Sequence, residues 1–211
     1  MRTVITYIVS KKELFISFLI LIAILGLLAF TLLSDKGQTL YTAGSGSLIK
    51  ISGTSNLQKW NLQATNFTAD ATFIIKNGQV QALQTLLMVL PVANLIGSED
   101  LLTTEAQKAL KSGKYRNISF KLSNATAIPD HKIIKATGNL TIAGVTKQIT
   151  LITYYIINAN ESITCIGRQQ IKLSDYNIKA LNYMMGAKKP DNVVDIDIIL
   201  EMDKSQLLSK N

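Results

Sequence analysis

From Ile134 to Ile142 every even position (Ile134, Ala136, Gly138, Leu140, Ile142) is apolar or glycine. The intervening odd positions, Lys135, Thr137, Asn139 and Thr141, are polar. A period of two places one face in a core and the other in water, a pattern that a helix cannot keep. The alternation runs into Ile142-Ala143-Gly144-Val145, which reads as a tight turn, and a second strand follows to Leu151. The segment therefore folds as an antiparallel hairpin with one buried face.

The same period recurs along the chain. Asn117–Ala125 puts Ile118, Phe120 and Leu122 inward. The last strand puts Val194, Ile196, Ile198, Leu200 and Met202 inward, with Asp195, Asp197 and Glu201 outward. Residues 149–157 and 163–173 are rich in β-branched and aromatic residues, and Asn158-Ala159-Asn160-Glu161 between them is a turn. Trp60, Leu62 and Ala64 follow one parity, and Phe67, Ala69, Ala71, Phe73 and Ile75 the other. The switch near Thr65 predicts a bulge or corner in a long curved strand. Val80–Leu90 is apolar on both parities and reads as a central strand with both faces covered. A helix is predicted from Ser98, as N-cap, to about Ser112, with Leu102, Ala106, Ala109 and Leu110 on one face and Gly113 as its stop. Seven or eight short strands with one helix predict a mainly β fold, a closed antiparallel barrel.

Before this domain comes Leu14–Leu33, 20 residues without a charge. A helix of that length spans roughly 30 Å, the hydrocarbon thickness of a bilayer. Arg2, Lys11 and Lys12 precede it, and Asp35 and Lys36 nearly cancel after it. The positive-inside rule puts residue 1 in the cytoplasm and the domain outside, at the periplasmic face of an inner membrane. The alternative is a cleaved signal peptide, leaving a periplasmic protein. Against it stand a core longer than the usual 7–15 residues and the absence of a small-x-small site at Leu33-Ser34-Asp35-Lys36. The organisation is then a cytoplasmic tail (1–13), a transmembrane anchor (14–33), a polar tether (34–46) and the barrel (47–204).

Several kinds of chemistry lack their residues. With one cysteine, Cys165, and one histidine, His131, neither an internal disulfide nor a usual zinc ligand set can form. Cys165 reads as a small buried side chain and His131 as a loop tip. Ser174-Asp175 has no histidine placed as base and reads as a turn pair, and Gly44-Ser45-Gly46-Ser47 lacks the lysine and helix of a phosphate loop. The net charge is +8, but the lysines are scattered, which suits a solvated surface better than nucleic acid.

Four segments carry a resemblance to a known family. Gly53-Thr54-Ser55-Asn56-Leu57-Gln58-Lys59-Trp60 is similar to G-T-S-x-L-H-x-W, and Lys114–Phe120 to K-Y-P-x-I-x-F. The hairpin Gly138–Leu151 resembles G-x-L-T-I-x-G-V-T-K, and Lys172–Ile178 is similar to K-x-S-D-F-x-I. These are motifs of the YceI-like family, and the resemblance covers Gly46 to Met202. It implies a lipocalin-like barrel that binds polyisoprenoid lipids. Gln58 stands where the family branch has histidine, and Arg116 where it has proline. Glutamine keeps a donor and an acceptor but cannot change charge near neutral pH.

The inward parities give the candidate lipid-binding lining: Trp60, Leu62, Phe120, Leu122, Leu140, Ile142, Leu151, Tyr155, Ile196 and Ile198. The function read from them is non-catalytic binding of a polyisoprenoid or other long-chain lipid, for carriage, storage or sequestration, with no metal and no cofactor. The alternative is a ligand-free structural or interaction module of the cell envelope. The oligomeric state is open, a homodimer included.

Overall fold

The computed structural model describes residues 38–55, 58–179 and 191–205, with only the backbone at residues 55 and 58. The tail at 1–13, the apolar run at 14–33 and residues 34–37 lie outside the described residues. Among those described, no helix is long and apolar enough to cross a membrane.

Among the described residues, eleven strands and one α-helix follow in order: β1 (Gln38–Ala43), β2 (Leu48–Ser55), β3 (Gln58–Ala64), β4 (Thr68–Lys76), β5 (Gln79–Pro91), β6 (Ile96–Gly97), α1 (Asp100–Ala109), β7 (Asn117–Ile128), β8 (Ile133–Ile142), β9 (Val145–Ile157), β10 (Ile163–Lys172) and β11 (Val193–Lys204). All pairings are antiparallel. β4, β5, β7, β8, β9, β10 and β11 pair in succession, and β1 closes the ring between β11 and β4. That is a closed antiparallel barrel of eight strands.

The count of eleven comes from bends. β2 pairs with β11 beside β1, β3 pairs with β2, and β6 pairs with β3. Thus β1–β2, β3–β4 and β5–β6 are three long strands, each broken where the wall turns. The corner predicted near Thr65 is the gap between Ala64 and Thr68. Trp60, Leu62 and Ala64 before it, and Phe67, Ala69, Ala71 and Phe73 after it, are all buried.

Gln38–Ala43, expected to be tether, is instead the closing strand β1. Tyr41 faces Lys204 on one side and Ala71 on the other, and its ring is buried. The polar composition of 34–46 hid this, because only Leu40 and Tyr41 mark the strand. β5 is not covered on both faces: Val80, Leu83 and Leu90 are buried, but Leu87 is exposed. Two register shifts against β4, at Thr72/Phe73 and Ile74/Ile75, swap the inward parity along β5. Hence both parities had to be apolar in places.

α1 also begins later than expected. Glu99 is its N-cap, with extended φ −138° and ψ 147°, so Ser98 lies before it. The Gly97 N–H donates to Thr103 Oγ1 at 2.9 Å and ties the entry to the first turn. The helix ends at Ala109 with Leu110 as its C-cap, and Lys111, at φ +55°, turns the chain away two residues before Gly113.

The β8–β9 turn is as expected. Ile142 pairs with Val145 across Ala143 (φ +47°) and Gly144 (φ +79°), the two left-handed residues of a tight hairpin turn. A Cβ at Gly144 would lie 2.3 Å from the Tyr115 ring, so glycine is required there twice over.

Candidate functional site: an apolar cavity at the helix end of the barrel

The barrel interior has two halves of different character. The half near the β4–β5 and β9–β10 turns is filled. Tyr41 and Phe73 meet edge to face, with centroids 5.4 Å apart at 87°. Tyr155 is fully buried, and the Val80 N–H donates to its Oη at 3.2 Å. Val80, Ile163 and Met202 close the remaining space.

The half near α1 holds a cavity of about 100 Å³. Its floor and walls come from β2, β3, β5, β7, β8, β9, β10 and β11. Ala106, Ala109 and Leu110 of α1 lie against it, as do Leu173, Tyr176 and Ile178 after β10. The reachable wall is entirely carbon. Among the described residues, no lysine, arginine, aspartate or glutamate lines it, and Gln169 is the one amide. Small residues on the helix explain the space: two alanines stand where larger side chains would reach the opposite wall.

Eight of the ten residues expected to line the interior border this cavity: Trp60, Leu62, Phe120, Leu140, Ile142, Leu151, Ile196 and Ile198. Two do not. Tyr155 belongs to the filled half, anchored by its bond from Val80. Leu122 is partly buried beside a register shift at Leu122/Asn124, where β7 turns away from the cavity. Parity marks the inward face but not the height along the barrel axis, and height separates these two from the rest.

The sequence reading missed the contributions of α1 and of Tyr176 and Ile178. The 3₁₀ turn Leu173–Tyr176 is fixed from three directions. The Leu173 N–H donates to Asn192 O at 2.7 Å, and the Ser174 N–H to Asn192 Oδ1 at 2.9 Å. The Ile178 N–H returns to Leu173 O at 3.1 Å. Ser174 and Asp175 thus form a turn bonded to its surroundings, as expected. The Tyr176 phenol is held above its ordinary value by burial and then by the negative charge of Asp175, so it stays protonated.

Cys165 is buried on the inward face of β10. Desolvation pushes its thiol up to about 12, so thiolate is scarce at neutral pH. His131 is exposed in the turn Pro129–His131. Among the described residues, no group of three or more His, Cys, Asp or Glu side chains is placed to hold a metal ion.

The model of the YceI-like domain matches residues 39–202. The chain belongs to the YceI-like family. The match starts within β1, which agrees with a barrel beginning before Gly46. No curated protein matches significantly. Among solved structures, this YceI-like chain is similar to Burkholderia cenocepacia BcnA (18% identity, TM-score 0.62, 74% of this chain and 95% of that one). It is also similar to a YceI protein of Campylobacter jejuni (20%, TM-score 0.53, 67% and 84%). A third is a polyisoprenoid binding domain from Saccharophagus degradans (11%, TM-score 0.60, 79% and 99%). At these identities the likeness concerns the fold. Of the two family departures, the Arg116 carbonyl accepts the Val92 N–H at 2.8 Å, while the Gln58 side chain lies outside the described residues.

Proposed function

We propose that this YceI-like barrel binds a long-chain lipid of the polyisoprenoid type, without catalysis, in the cavity under α1. The observation that carries the reading is the all-carbon cavity inside a barrel whose other half is packed solid. Each buried CH₂ contributes about 0.8 kcal/mol, so a tail gains affinity there without a polar contact. The related domain from Saccharophagus degradans, described as polyisoprenoid binding, supports the ligand class. A space of about 100 Å³ takes only a segment of a long tail. The rest enters as α1 and the flexible Met88 side chain give way, which the small helix residues make inexpensive.

The charge pattern around 14–33 supports an inner-membrane anchor with the barrel on the periplasmic side. Such a carrier would take lipid from, or hold it near, the membrane it is tied to. An interaction module is the second reading, favoured by one observation. Ile128, Ile133, Tyr154, Ile166 and Ile199 are lateral neighbours across five strands of the outer wall, and Tyr154 is 62% exposed.

The test is mass spectrometry of an organic extract of the full chain purified in detergent. A stoichiometric long-chain isoprenoid supports the carrier. An empty extract, together with no uptake of added polyprenol, overturns it in favour of the interaction module.

A further inference from the structure

The outer wall of the barrel changes character along its length. On β9 the outward side chains Gln148 and Thr150 are polar. The next three, Ile152, Tyr154 and Ile156, are apolar or aromatic and at least half exposed. β8 and β7 change at the same end: outward Asn139, Thr137 and Lys135 give way to Ile133, and Thr126 to Ile128. Tyr154 is the register partner of Ile133 on one side and of Ile166 on the other, so these side chains adjoin. A contiguous exposed apolar band on an otherwise polar wall marks a docking surface.

Two observations identify what docks there. The first is where the chain enters. Gln38 pairs with Ile74 near the β4–β5 turn, and Tyr41 pairs with Lys204 near the β9–β10 turn, so β1 starts at the barrel end that carries the band. Leu33, the last residue of the uncharged run, lies five residues before Gln38, and five steps of extended chain reach at most about 18 Å. With the run in a bilayer, this end of the barrel stays at the bilayer surface.

The second is curvature. The band crosses β7, β8, β9 and β10, half of the closed ring, on a convex wall. Two rigid convex walls meet along few side chains, short of the roughly 800 Å² per partner that a stable pair buries. A lipid interface is fluid and follows the curve. The composition agrees. A tyrosine lies at the centre, with Lys132 next to Ile133 and Lys135 opposite Ile152 at the border, and such side chains suit the headgroup level. Asp130 and Glu161 are the acids of the adjoining turns, and Lys204 holds Glu161 at 2.8 Å.

Resting on the anchored reading of residues 14–33, and independently of any lipid in the cavity, we infer that the apolar end of the outer wall on β7–β10 docks onto the bilayer surface. Ile152, Tyr154 and Ile156 enter the headgroup region, and the polar end of β9 stays in water.

The experiment places a nitrobenzoxadiazole fluorophore on single introduced cysteines of the full chain, whose native thiol, Cys165, is buried. The chain is reconstituted in vesicles of phosphatidylethanolamine and phosphatidylglycerol containing a nitroxide-bearing lipid. The label at Tyr154→Cys should lose its emission to the nitroxide. Labels at Gln148→Cys, on the same face of β9, and at Asp70→Cys, on β4 across the ring, should keep theirs. Adding Ile152→Glu and Ile156→Glu to Tyr154→Cys should abolish the quenching. Both sites are half exposed, so the melting temperature should hardly move. Quenching that survives these charges overturns the inference, because the short connector alone then explains it, and so does equal quenching at all three labelled sites. Self-quenching at position 154 that is relieved by unlabelled chain, with no nitroxide effect, overturns it in favour of a second copy. Retention of the chain by vesicles in alkaline carbonate with an unquenched label at 154 overturns the inference alone. Release of the chain by carbonate overturns the anchored reading and the inference together.

Discussion

Gly53 and Trp60 are direct partners in the β2–β3 register, and a Cβ on Gly53 would lie 2.3 Å from Trp60 Cζ2. The indole lies across its partner strand because that strand has no side chain at this point. The spacing of Gly53 and Trp60 in G-T-S-N-L-Q-K-W thereby gains a physical meaning. Seven residues apart across a short hairpin, the two fall opposite each other.

Gly53→Ala should therefore displace the indole and destabilise the barrel by about 1–3 kcal/mol, the usual cost of overpacking. Trp60 is the single tryptophan, so its fluorescence reports the site alone. A red-shifted emission and a lower melting temperature are expected. An unchanged spectrum would mean that the ring does not rest on Gly53.

Leu140 lines the cavity and is buried, whereas Thr141 faces outward with its Oγ1 2.8 Å from Thr146 Oγ1. Leu140→Ala should cost about 2–5 kcal/mol in chemical denaturation. Thr141→Ala should stay within roughly 0.5 kcal/mol. Equal losses would show that the inner and outer faces of β8 are misassigned.

A barrel lacking β1 has no strand to join β11 to β4. A chain starting at Leu48 should be markedly less stable than one starting at Gly37, or fail to fold. Thermal unfolding of the two by circular dichroism decides it, and matching transitions would contradict closure by β1.

Cys165 should resist thiol reagents in the native state and react once unfolded. Its folded value, about 12, lies above its ordinary value of 9.0. The thiol's contribution to stability is therefore fully present below about pH 9. It is lost as pH rises from there through about 12, because the unfolded chain releases the proton first. Cys165→Ala should flatten that part of the stability curve. Rapid labelling of the folded protein would place the thiol at the surface.

The run at 14–33 predicts protease-sensitive barrel on intact spheroplasts. Digestion only after lysis would reverse the orientation. Intact mass of the membrane-extracted protein checks cleavage, since a mature N-terminus near Asp35 would remove the anchor.

The period-two pattern alone determined the inward faces of β7, β8 and β11, and the turn at Ala143-Gly144, because burial of one strand face is a local property of composition. The four family segments sufficed for the barrel. Three things were decided only in the folded chain. Gln38–Ala43 became a strand because two edges needed closing, a demand that its own composition does not express. The two parities of β5 were reconciled by bulges against β4, whose position depends on the partner strand. Which inward residues meet a cavity depended on height along the axis. Tyr155 sits where Tyr41, Phe73 and Met202 fill the barrel, and Phe120 where two alanines of α1 leave room. Volume is shared among eight strands and a helix, and no single strand carries it.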